Sequence, residues 1–262
     1  MAKGHFDFEI QTKRKDEIGL WSRSFNEMAK ERGKLDRIRK EFVANVSHEI
    51  QSPLTSITGF SKALRQKKLT EENQDHYLAI IEEESERLSR LSRNLLRLSS
   101  LQHEQAKLTI NSYRLDEQLR NVIISLEPQW NAKKMDLVVD LDTMIIQADE
   151  DLLKQVWINL LNNGINFTPE HGKLIIRGKK ADGKAVVSII DNGIGIPEEE
   201  RSDIFKPLYK VDKSRNSSVK GNGLGLSIVK QIVDLHGGEI GVSGRTDSTG
   251  AIFTIYIPVD QK

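Results

Sequence analysis

A histidine followed directly by an acidic residue lies in a long stretch of helix-forming sequence, and this pair could support nucleophilic chemistry. At about 100° per residue, His48 points away from the apolar stripe of its helix, which predicts an exposed imidazole. The Glu49 carboxylate could hold one ring nitrogen and leave the other as the nucleophile. Ser52 places a hydroxyl one turn further on the same face, and Pro53 removes a backbone donor there. The remaining histidines are predicted to be ordinary surface residues: His5, His76, His103, His171 and His236.

Three asparagines at helical spacing form a second candidate site. Asn159, Asn163 and Asn166 lie at i, i+4 and i+7, so they share one face of a helix. Amide oxygens suit Mg²⁺, a hard cation that takes oxygen ligands, and three amides are costly to bury against an apolar core. When these residues are considered alone, a solvated helix face explains the pattern equally well.

Two glycine-containing segments complete this candidate site. Asp191 follows a predicted strand, and its carboxylate could accept a hydrogen bond from the adenine amino group, while Gly193 and Gly195 let the backbone approach the ring. The segment 221–226 (GNGLGL) precedes a helix, so its amides could bind phosphate. Its G-x-G-x-G spacing differs from that of dinucleotide folds, and the chain has no Walker lysine pattern, so a dinucleotide site is disfavoured.

Long amphipathic helices must position His48. Residues 7–100 are rich in Glu, Lys, Arg and Leu, and a break near 66–72 predicts two helices in an antiparallel hairpin. A single hairpin buries little apolar surface, so we expect two hairpins to pair as a homodimeric four-helix bundle. Packing of the stripe on the rest of the chain is the alternative. The apolar stripes comprise Leu35, Ile38, Phe42, Val46, Ile50, Leu54, Ile57 and Leu64 in the first helix, and Leu78, Ile81, Leu88, Leu91, Leu95 and Leu98 in the second.

The asparagines and glycines lie in a region of mixed helices and strands. The Asp182-Gly183 pair between two β-type runs predicts a hairpin turn. The Ser- and Lys-rich segment 213–220 predicts a flexible loop, within a lid of about 206–220 that we expect to be mobile without nucleotide. Strands are predicted at 137–141, 174–177, 185–190 and 252–257, and helices at 115–131, 151–167 and 224–235.

The composition excludes several classes of function. The chain of 262 residues has a formal net charge of +1, which gives no general electrostatic case for nucleic acid or an anionic membrane surface as a partner. It has no cysteine, so thiol catalysis and thiolate metal sites are excluded. No apolar run approaches the roughly 20 residues that cross a bilayer. We therefore expect a soluble, intracellular chain that could be a fragment of a longer protein.

The segment around His48 resembles a known motif. Residues 42–54 (FVANVSHEIQSPL) are similar to the H-box of sensor histidine kinases. The resemblance implies that His48 is the phosphoacceptor and Glu49 its base. Gln51 and Ser52 stand where that family usually has Arg or Lys, and Thr or Asn, which bears on phosphatase chemistry rather than on the nucleophile.

The three polar motifs of the mixed region, taken in order, resemble the N, G1 and G2 boxes of the GHKL ATPases, and 204–215 (IFKPLYKVDKSR) resembles the F-box of histidine kinases. The resemblance implies ATP and Mg²⁺ as cofactors, with Asn163 as the principal metal ligand, supported by Asn159. It implies that Asp191 binds adenine and that Lys210 contacts phosphate. Asn166 stands where many members have a phosphate-binding base, and Leu208 replaces a usual Phe. The remaining nucleotide-binding residues would be Gly193, Gly195, Tyr209, Gly221, Gly223, Gly225 and Leu226.

Residues 16–21 and 25–28 resemble the second half of a HAMP linker, which implies the cytoplasmic portion of a membrane receptor whose sensor region is missing. We expect a linker helix at 1–30, a dimerisation and phosphotransfer hairpin at 31–104, and a two-layer α/β ATP-binding domain at 105–262, with a hinge near 101–107. Such a kinase would phosphorylate His48 and pass the phosphoryl group to an aspartate of a response regulator receiver domain. The alternatives are a conformational GHKL ATPase and a degenerate scaffold that binds a regulator.

Overall fold

The computed structural model describes residues 16–65, 69–102, 107–211, 221–245 and 249–260. Two compact units divide the chain, Met1–Glu86 and Arg87–Lys262. The order of elements is α1 (Glu17–Leu64), α2 (Glu71–Leu101), β1 (Ile110–Arg114), α3 (Leu115–Ser125), α4 (Glu127–Ala132), β2 (Asp136–Leu141), β3 (Ile145–Asp149), α5 (Glu150–Phe167), β4 (Lys173–Ala181), β5 (Lys184–Asp191), a short 3-10 helix (Glu198–Glu200), α6 (Gly225–Leu235), β6 (Glu239–Gly244) and β7 (Ala251–Pro258).

The first unit contains α1 and the first half of α2. The Asp16 carboxylate caps α1 by accepting a hydrogen bond of 3.1 Å from the Gly19 amide. Phe60 near the end of α1 packs against Tyr77 near the start of α2, with ring centroids 5.1 Å apart. The structure therefore confirms the predicted pair of long helices, and the predicted break between them lies between Leu64 and Glu71.

The second unit is a two-layer α/β sandwich, as predicted. Its five-stranded sheet has the order β2-β4-β5-β7-β6, in which β2 and β4 are parallel and the other pairs are antiparallel. A separate antiparallel pair joins β1 to β3. Alternate residues of the sheet face the helices, which gives a core of fully buried side chains that includes Leu153, Trp157, Leu160, Ile176, Ile189, Ile228 and Ile255.

Local chemistry accounts for the turns. Asp182 and Gly183 both have positive φ, 50° and 73°, as a two-residue turn between β4 and β5 requires, which confirms the predicted hairpin. The single helix predicted at 115–131 is wrong: it divides at Leu126 into α3 and α4, because Pro128 fits the first turn of a helix but not its interior.

Three strands were not predicted, namely β1, β3 and β6. The prediction that His236 is an ordinary surface residue is also wrong, since its side chain is 2% exposed after the last turn of α6. Most of the predicted hinge and of the predicted lid lies outside the described residues, so their mobility stays a prediction.

Candidate functional site

The predicted phosphoacceptor lies on the exposed side of α1. His48 and Ser52 are exposed, and Glu49 is half-buried. Ser52 directly precedes Pro53 within α1, and His48 and Glu49 lie about one helical turn earlier. The exposure of His48 confirms the prediction from the helical spacing. An exposed imidazole is accessible as a nucleophile.

Asp191 is the buried acid of the predicted nucleotide site. It ends β5 beside β7, where its Oδ1 accepts hydrogen bonds from the Gly193 amide at 2.9 Å and the Ala251 amide at 3.1 Å. The side chain is 5% exposed. Its other oxygen, Oδ2, accepts no hydrogen bond from the residues that the structure describes. The carboxylate therefore uses one oxygen to shape the loop and keeps the other for a donor such as an amino group.

Burial dominates the electrostatics of this acid. Desolvation raises the pKa of Asp191 above its ordinary value, while the amides of Gly193 and Ala251 and the charge of Arg245 partly offset that rise. A neutral ligand that donates a hydrogen bond suits such a site better than a metal ion does. The adenine amino group is a donor of this kind.

Close backbone contacts explain the glycines of the first loop. A Cβ on Gly193 would lie 2.4 Å from the Phe167 carbonyl oxygen, and Gly195 has a φ of +74°. Gly250 opposite has a φ of +133°, and a Cβ there would lie 2.1 Å from the Asp191 carbonyl oxygen. These glycines bring the end of α5, the loop after β5 and the start of β7 together around Asp191.

Helix α5 carries the three predicted asparagines. The Asp149 carboxylate caps its N-terminus by accepting from the Leu152 amide at 3.0 Å. Asn159 and Asn163 are half-buried, while Asn166 is exposed. The Asn163 side chain makes no hydrogen bond with the described residues, so its amide oxygen is available as a ligand.

A lysine that the sequence did not single out holds the other end of α5. The Lys133 ammonium donates to the carbonyl oxygens of Ile165 at 2.7 Å, Asn166 at 3.1 Å and Thr168 at 2.8 Å. Carbonyls at a helix C-terminus lack helical partners, and a cation there also complements the helix dipole. Lys133 follows α4 directly, so it ties the C-terminal end of the asparagine helix to the connection between α4 and β2.

A backbone hydrogen bond holds the second glycine motif against the segment around Leu208. The Leu208 amide donates to the Gly223 carbonyl oxygen at 2.9 Å, and a Cβ on Gly223, whose φ is +68°, would lie 2.8 Å from the Leu208 carbonyl carbon. The Tyr209 hydroxyl donates to the Glu200 carboxylate, so it is held by the protein itself. Lys210 is half-buried beside it.

The three predicted glycines of that motif differ in their surroundings. Among the described residues, a Cβ on Gly221 would meet nothing within 4 Å, and one on Gly225 would touch Asn159 at an ordinary distance of 3.7 Å. Gly225 begins α6, and Leu226 lies half-exposed in the first turn. Only Gly223 is therefore required by the fold in the described conformation.

The asparagine helix touches both glycine loops. The Asn159 amide nitrogen donates to the Gly225 carbonyl oxygen at 3.4 Å, and Gly193 lies against Phe167. The structure thus gathers Asp191, Asn159 and the starts of both loops around one helix.

Two family models match this chain: the His Kinase A (phospho-acceptor) domain over residues 38–104, and the histidine kinase-, DNA gyrase B- and HSP90-like ATPase over residues 148–261. The chain belongs to the sensor histidine kinases.

Individual relatives of this histidine kinase agree with the family models. The sensor histidine kinase YclK of Bacillus subtilis is 33% identical over 100% of the chain, and the chain spans 57% of the length of YclK. Among solved structures, histidine kinase ThkA in complex with response regulator protein TrrA is 30% identical with a TM-score of 0.72, over 90% of this chain and 66% of that one. Full-length ShkA in complex with AMPPNP is 28% identical with a TM-score of 0.61, over 83% of this chain and 45% of that one.

The described part of this kinase contains no group of three or more His, Cys, Asp or Glu side chains that could hold a metal by themselves. A magnesium site would fit a single amide oxygen together with water and phosphate oxygens, as Mg²⁺ prefers. No helix in the described ranges is both long and apolar enough to cross a membrane.

Proposed function

We propose that the chain uses Mg-ATP to phosphorylate its own His48, and that the phosphoryl group passes from there to an aspartate of a response regulator. The observation that carries this proposal is the arrangement of Asp191, whose Oδ1 is held by two backbone amides while its Oδ2 takes no donor from the described residues. That geometry suits the amino group of adenine. The binding of AMPPNP by the related ShkA supports the same ligand class.

The other proposed nucleotide contacts come from helix α5 and the two glycine-containing segments. Asn163 would supply an amide oxygen to Mg²⁺, with Asn159 in support from the preceding turn, and the ion would neutralise charge on the phosphates. Gly193 and Gly195 admit the adenine ring. The phosphates are contacted by Asn166, Tyr209, Lys210 and the segment from Gly221 through Gly223 and Gly225 to Leu226.

The transfer itself needs alignment and charge neutralisation more than covalent help from the protein. A ring nitrogen of His48 attacks the γ-phosphorus, the bond to the bridging oxygen breaks, and ADP leaves. Glu49 accepts the proton of the other ring nitrogen, which prevents a positive charge from remaining on the product imidazole. His48 belongs to the first unit and the nucleotide residues to the second, so the phosphoryl group passes between residues of different units.

Radiolabelled ATP tests this proposal directly. The purified chain should acquire a label that is stable in base and labile in acid, as expected of a phosphorylated imidazole, and His48→Gln should abolish that label without weakening ATP binding. His76→Gln is the matched control, since His76 is exposed on the neighbouring helix. A label that persists in His48→Gln identifies another acceptor. Release of phosphate without any label supports a conformational ATPase, and neither activity supports a scaffold.

A homodimer is the form in which this kinase would act. Apolar side chains of the helical hairpin remain open to solvent in the single chain, with Val43 57%, Leu54 48% and Leu78 53% exposed. A second hairpin would cover them in a four-helix bundle. Light scattering at micromolar concentration should give the mass of a dimer, and a monomeric mass would contradict the bundle.

The partner and the receptor context are part of the same proposal. The complex of ThkA with the response regulator TrrA supports a receiver domain as the partner of this chain. We place the chain as the cytoplasmic portion of a membrane receptor, with residues 16–28 as the end of a HAMP linker that joins it to an N-terminal sensor region. Phosphotransfer profiling against a set of purified receiver domains would identify the regulator.

A further inference from the structure

The last turns of α2 belong to the same compact unit as the nucleotide site. Leu98 and Leu101 are 4% and 5% exposed, although they come from a helix whose first half lies in the other unit. The Gln231 side chain of α6 donates to the Leu101 carbonyl oxygen at 3.4 Å. The last turns of α2, the second helix of the phosphoacceptor hairpin, therefore pack within the unit that holds the nucleotide residues.

A chain of side-chain hydrogen bonds runs from this end of α2 to the second glycine motif. The Arg97 guanidinium donates to Gln155 Oε1. Gln155 Nε2 donates to Asn159 Oδ1 at 3.2 Å, and Asn159 Nδ2 donates to the Gly225 carbonyl oxygen at 3.4 Å. The three linked side chains are half-buried, where polar contacts count for more than on the open surface.

The donor and acceptor roles in this series of hydrogen bonds are linked from one side chain to the next. Arginine has donors only, so Arg97 requires the oxygen of the Gln155 amide to face it. The nitrogen of Gln155 then faces Asn159 and requires its oxygen, and this leaves the Asn159 nitrogen to donate to the carbonyl of Gly225. The Gly225 carbonyl, which only accepts, requires the same arrangement from the other end, so if Arg97 withdraws the series loses one of its two fixed ends and Gln155 loses the donor that holds its oxygen.

We propose that Arg97 and Gln155 are positioning residues that couple the second helix of the phosphoacceptor hairpin to the ATP site. They hold Asn159 against Gly225, and so fix where α6 begins relative to Asn163, one turn further along α5. This inference rests on the proposed binding of Mg-ATP at these residues. A movement of α2 that breaks the Arg97 contact lowers the affinity for ATP without any change in a residue that touches it.

The test is a double-mutant cycle in the full chain, with affinity for a fluorescent ATP analogue as the readout. Arg97→Met and Gln155→Leu should each weaken binding by about three- to tenfold, as expected from the loss of one or two hydrogen bonds. The double variant should bind no worse than Gln155→Leu alone, because the residues act in series. Additive losses would overturn the inference, and so would unchanged affinity in both single variants.

Two controls separate coupling from simple packing. Gln231→Leu removes the hydrogen bond from α6 to the end of α2 but leaves the series of amides intact, so it should bind ATP like the wild type. Arg93→Met removes a cation one turn earlier whose only partner among the described residues is Ser89 of the same helix, and it should also be neutral. If either control weakens binding as much as Arg97→Met, docking or charge explains the effect and the inference fails.

Gln155→Glu gives a sharper variant that keeps the size of the side chain. The carboxylate still accepts from Arg97, but it cannot donate to Asn159, so the Asn159 amide oxygen must face another acceptor, either this carboxylate or the Gly225 carbonyl. It should therefore weaken ATP binding at least as much as Gln155→Leu, with Tm close to that of the wild type. Affinity equal to the wild type in this variant contradicts the inference. Absence of label on His48 in the wild type would instead refute the proposed function, while the ATP-binding cycle would still decide the role of Arg97.

Discussion

His236 Nε2 accepts a hydrogen bond of 3.1 Å from the backbone amide of Asp149, across 87 residues of sequence. Its Nδ1 lies 2.8 Å from the Ile232 carbonyl oxygen, so the neutral ring donates there and accepts from Asp149. The Asp149 side chain caps α5, and His236 follows α6 directly. A single buried imidazole thus ties the start of the asparagine helix to the end of the helix that follows the second glycine motif.

This arrangement predicts a specific loss of stability in mild acid. Burial lowers the pKa of His236 below its ordinary 6.5, so the unfolded chain binds a proton more readily than the folded one. The stabilising contribution is therefore complete above about pH 6.5 and is lost as the pH falls below that value. Thermal unfolding between pH 7.5 and 5 should show a steeper fall in Tm for the wild type than for His236→Gln. The exposed His76→Gln should retain the wild-type slope, and equal slopes in all three proteins would refute the prediction.

The second glycine motif offers a prediction within one short segment. Gly223→Ala should lower the free energy of unfolding by about 1–3 kcal/mol, because a residue with a side chain at a φ of +68° is strained and its Cβ would lie 2.8 Å from Leu208. Gly221→Ala should cost well under about 1 kcal/mol, since no atom of the described residues lies within 4 Å of a Cβ at that position. Denaturant unfolding of both variants measures the difference. Similar losses in the two would contradict the described pinning of Leu208 to Gly223.

Sequence patterns predicted the elements with strong apolar periodicity and missed those without it. The four predicted strands have runs of β-branched and other apolar residues, whereas β1 (INSYR) and β6 (EIGVSG) are polar or rich in glycine. These strands form because a neighbouring strand is available, which is a tertiary cause that no local window contains. The burial of His236 has the same kind of cause, since its partner Asp149 is distant in sequence.

The nucleotide site was predicted where residues form compact motifs and was incomplete where they do not. Asp191 and the three asparagines were identifiable from spacing and from their resemblance to known boxes. Lys133, Arg97 and Gln155 were not, because each acts through a contact with another element: Lys133 with the end of α5, and Arg97 with a residue 58 positions away. The helical pattern of α2 gave no reason to select one arginine among several.

The two principal nucleotide residues should respond differently to magnesium. Asp191→Asn keeps an oxygen for the amides of Gly193 and Ala251 but turns a donor toward the adenine amino group, so binding should weaken about ten- to a hundredfold with or without Mg²⁺. Asn163→Asp should weaken Mg-ATP binding chiefly through the metal, so its defect should shrink when EDTA is present. Titration of a fluorescent ATP analogue measures both. Asn162→Asp is the matched control on the same helix, and unchanged affinity in both site variants would move the site elsewhere.

Ser52 provides the last prediction, which concerns removal of the phosphoryl group from the regulator. Many histidine kinases also dephosphorylate their partner, and Ser52 stands where the resemblance places a Thr or Asn that positions the hydrolytic water. It is exposed one turn after His48 and keeps a hydroxyl that can donate and accept. It lacks the β-methyl of threonine, so its χ1 is freer, and ordering that one torsion should cost well under ~1 kcal/mol.

Because each 1.4 kcal/mol is about tenfold in rate, this freedom reduces the phosphatase rate only modestly. Ser52→Ala should therefore lose phosphatase activity while keeping autophosphorylation, and Ser52→Thr should equal or slightly exceed the wild type. Decay of the phosphorylated regulator, followed with ADP or ATP present, measures all three proteins, with Ser61→Ala as an exposed control on the same helix. If Ser52→Ala dephosphorylates the regulator as fast as the wild type, Ser52 has no such role. If the wild type and both Ser52 variants all lack phosphatase activity, Gln51 in place of a basic residue has already removed it.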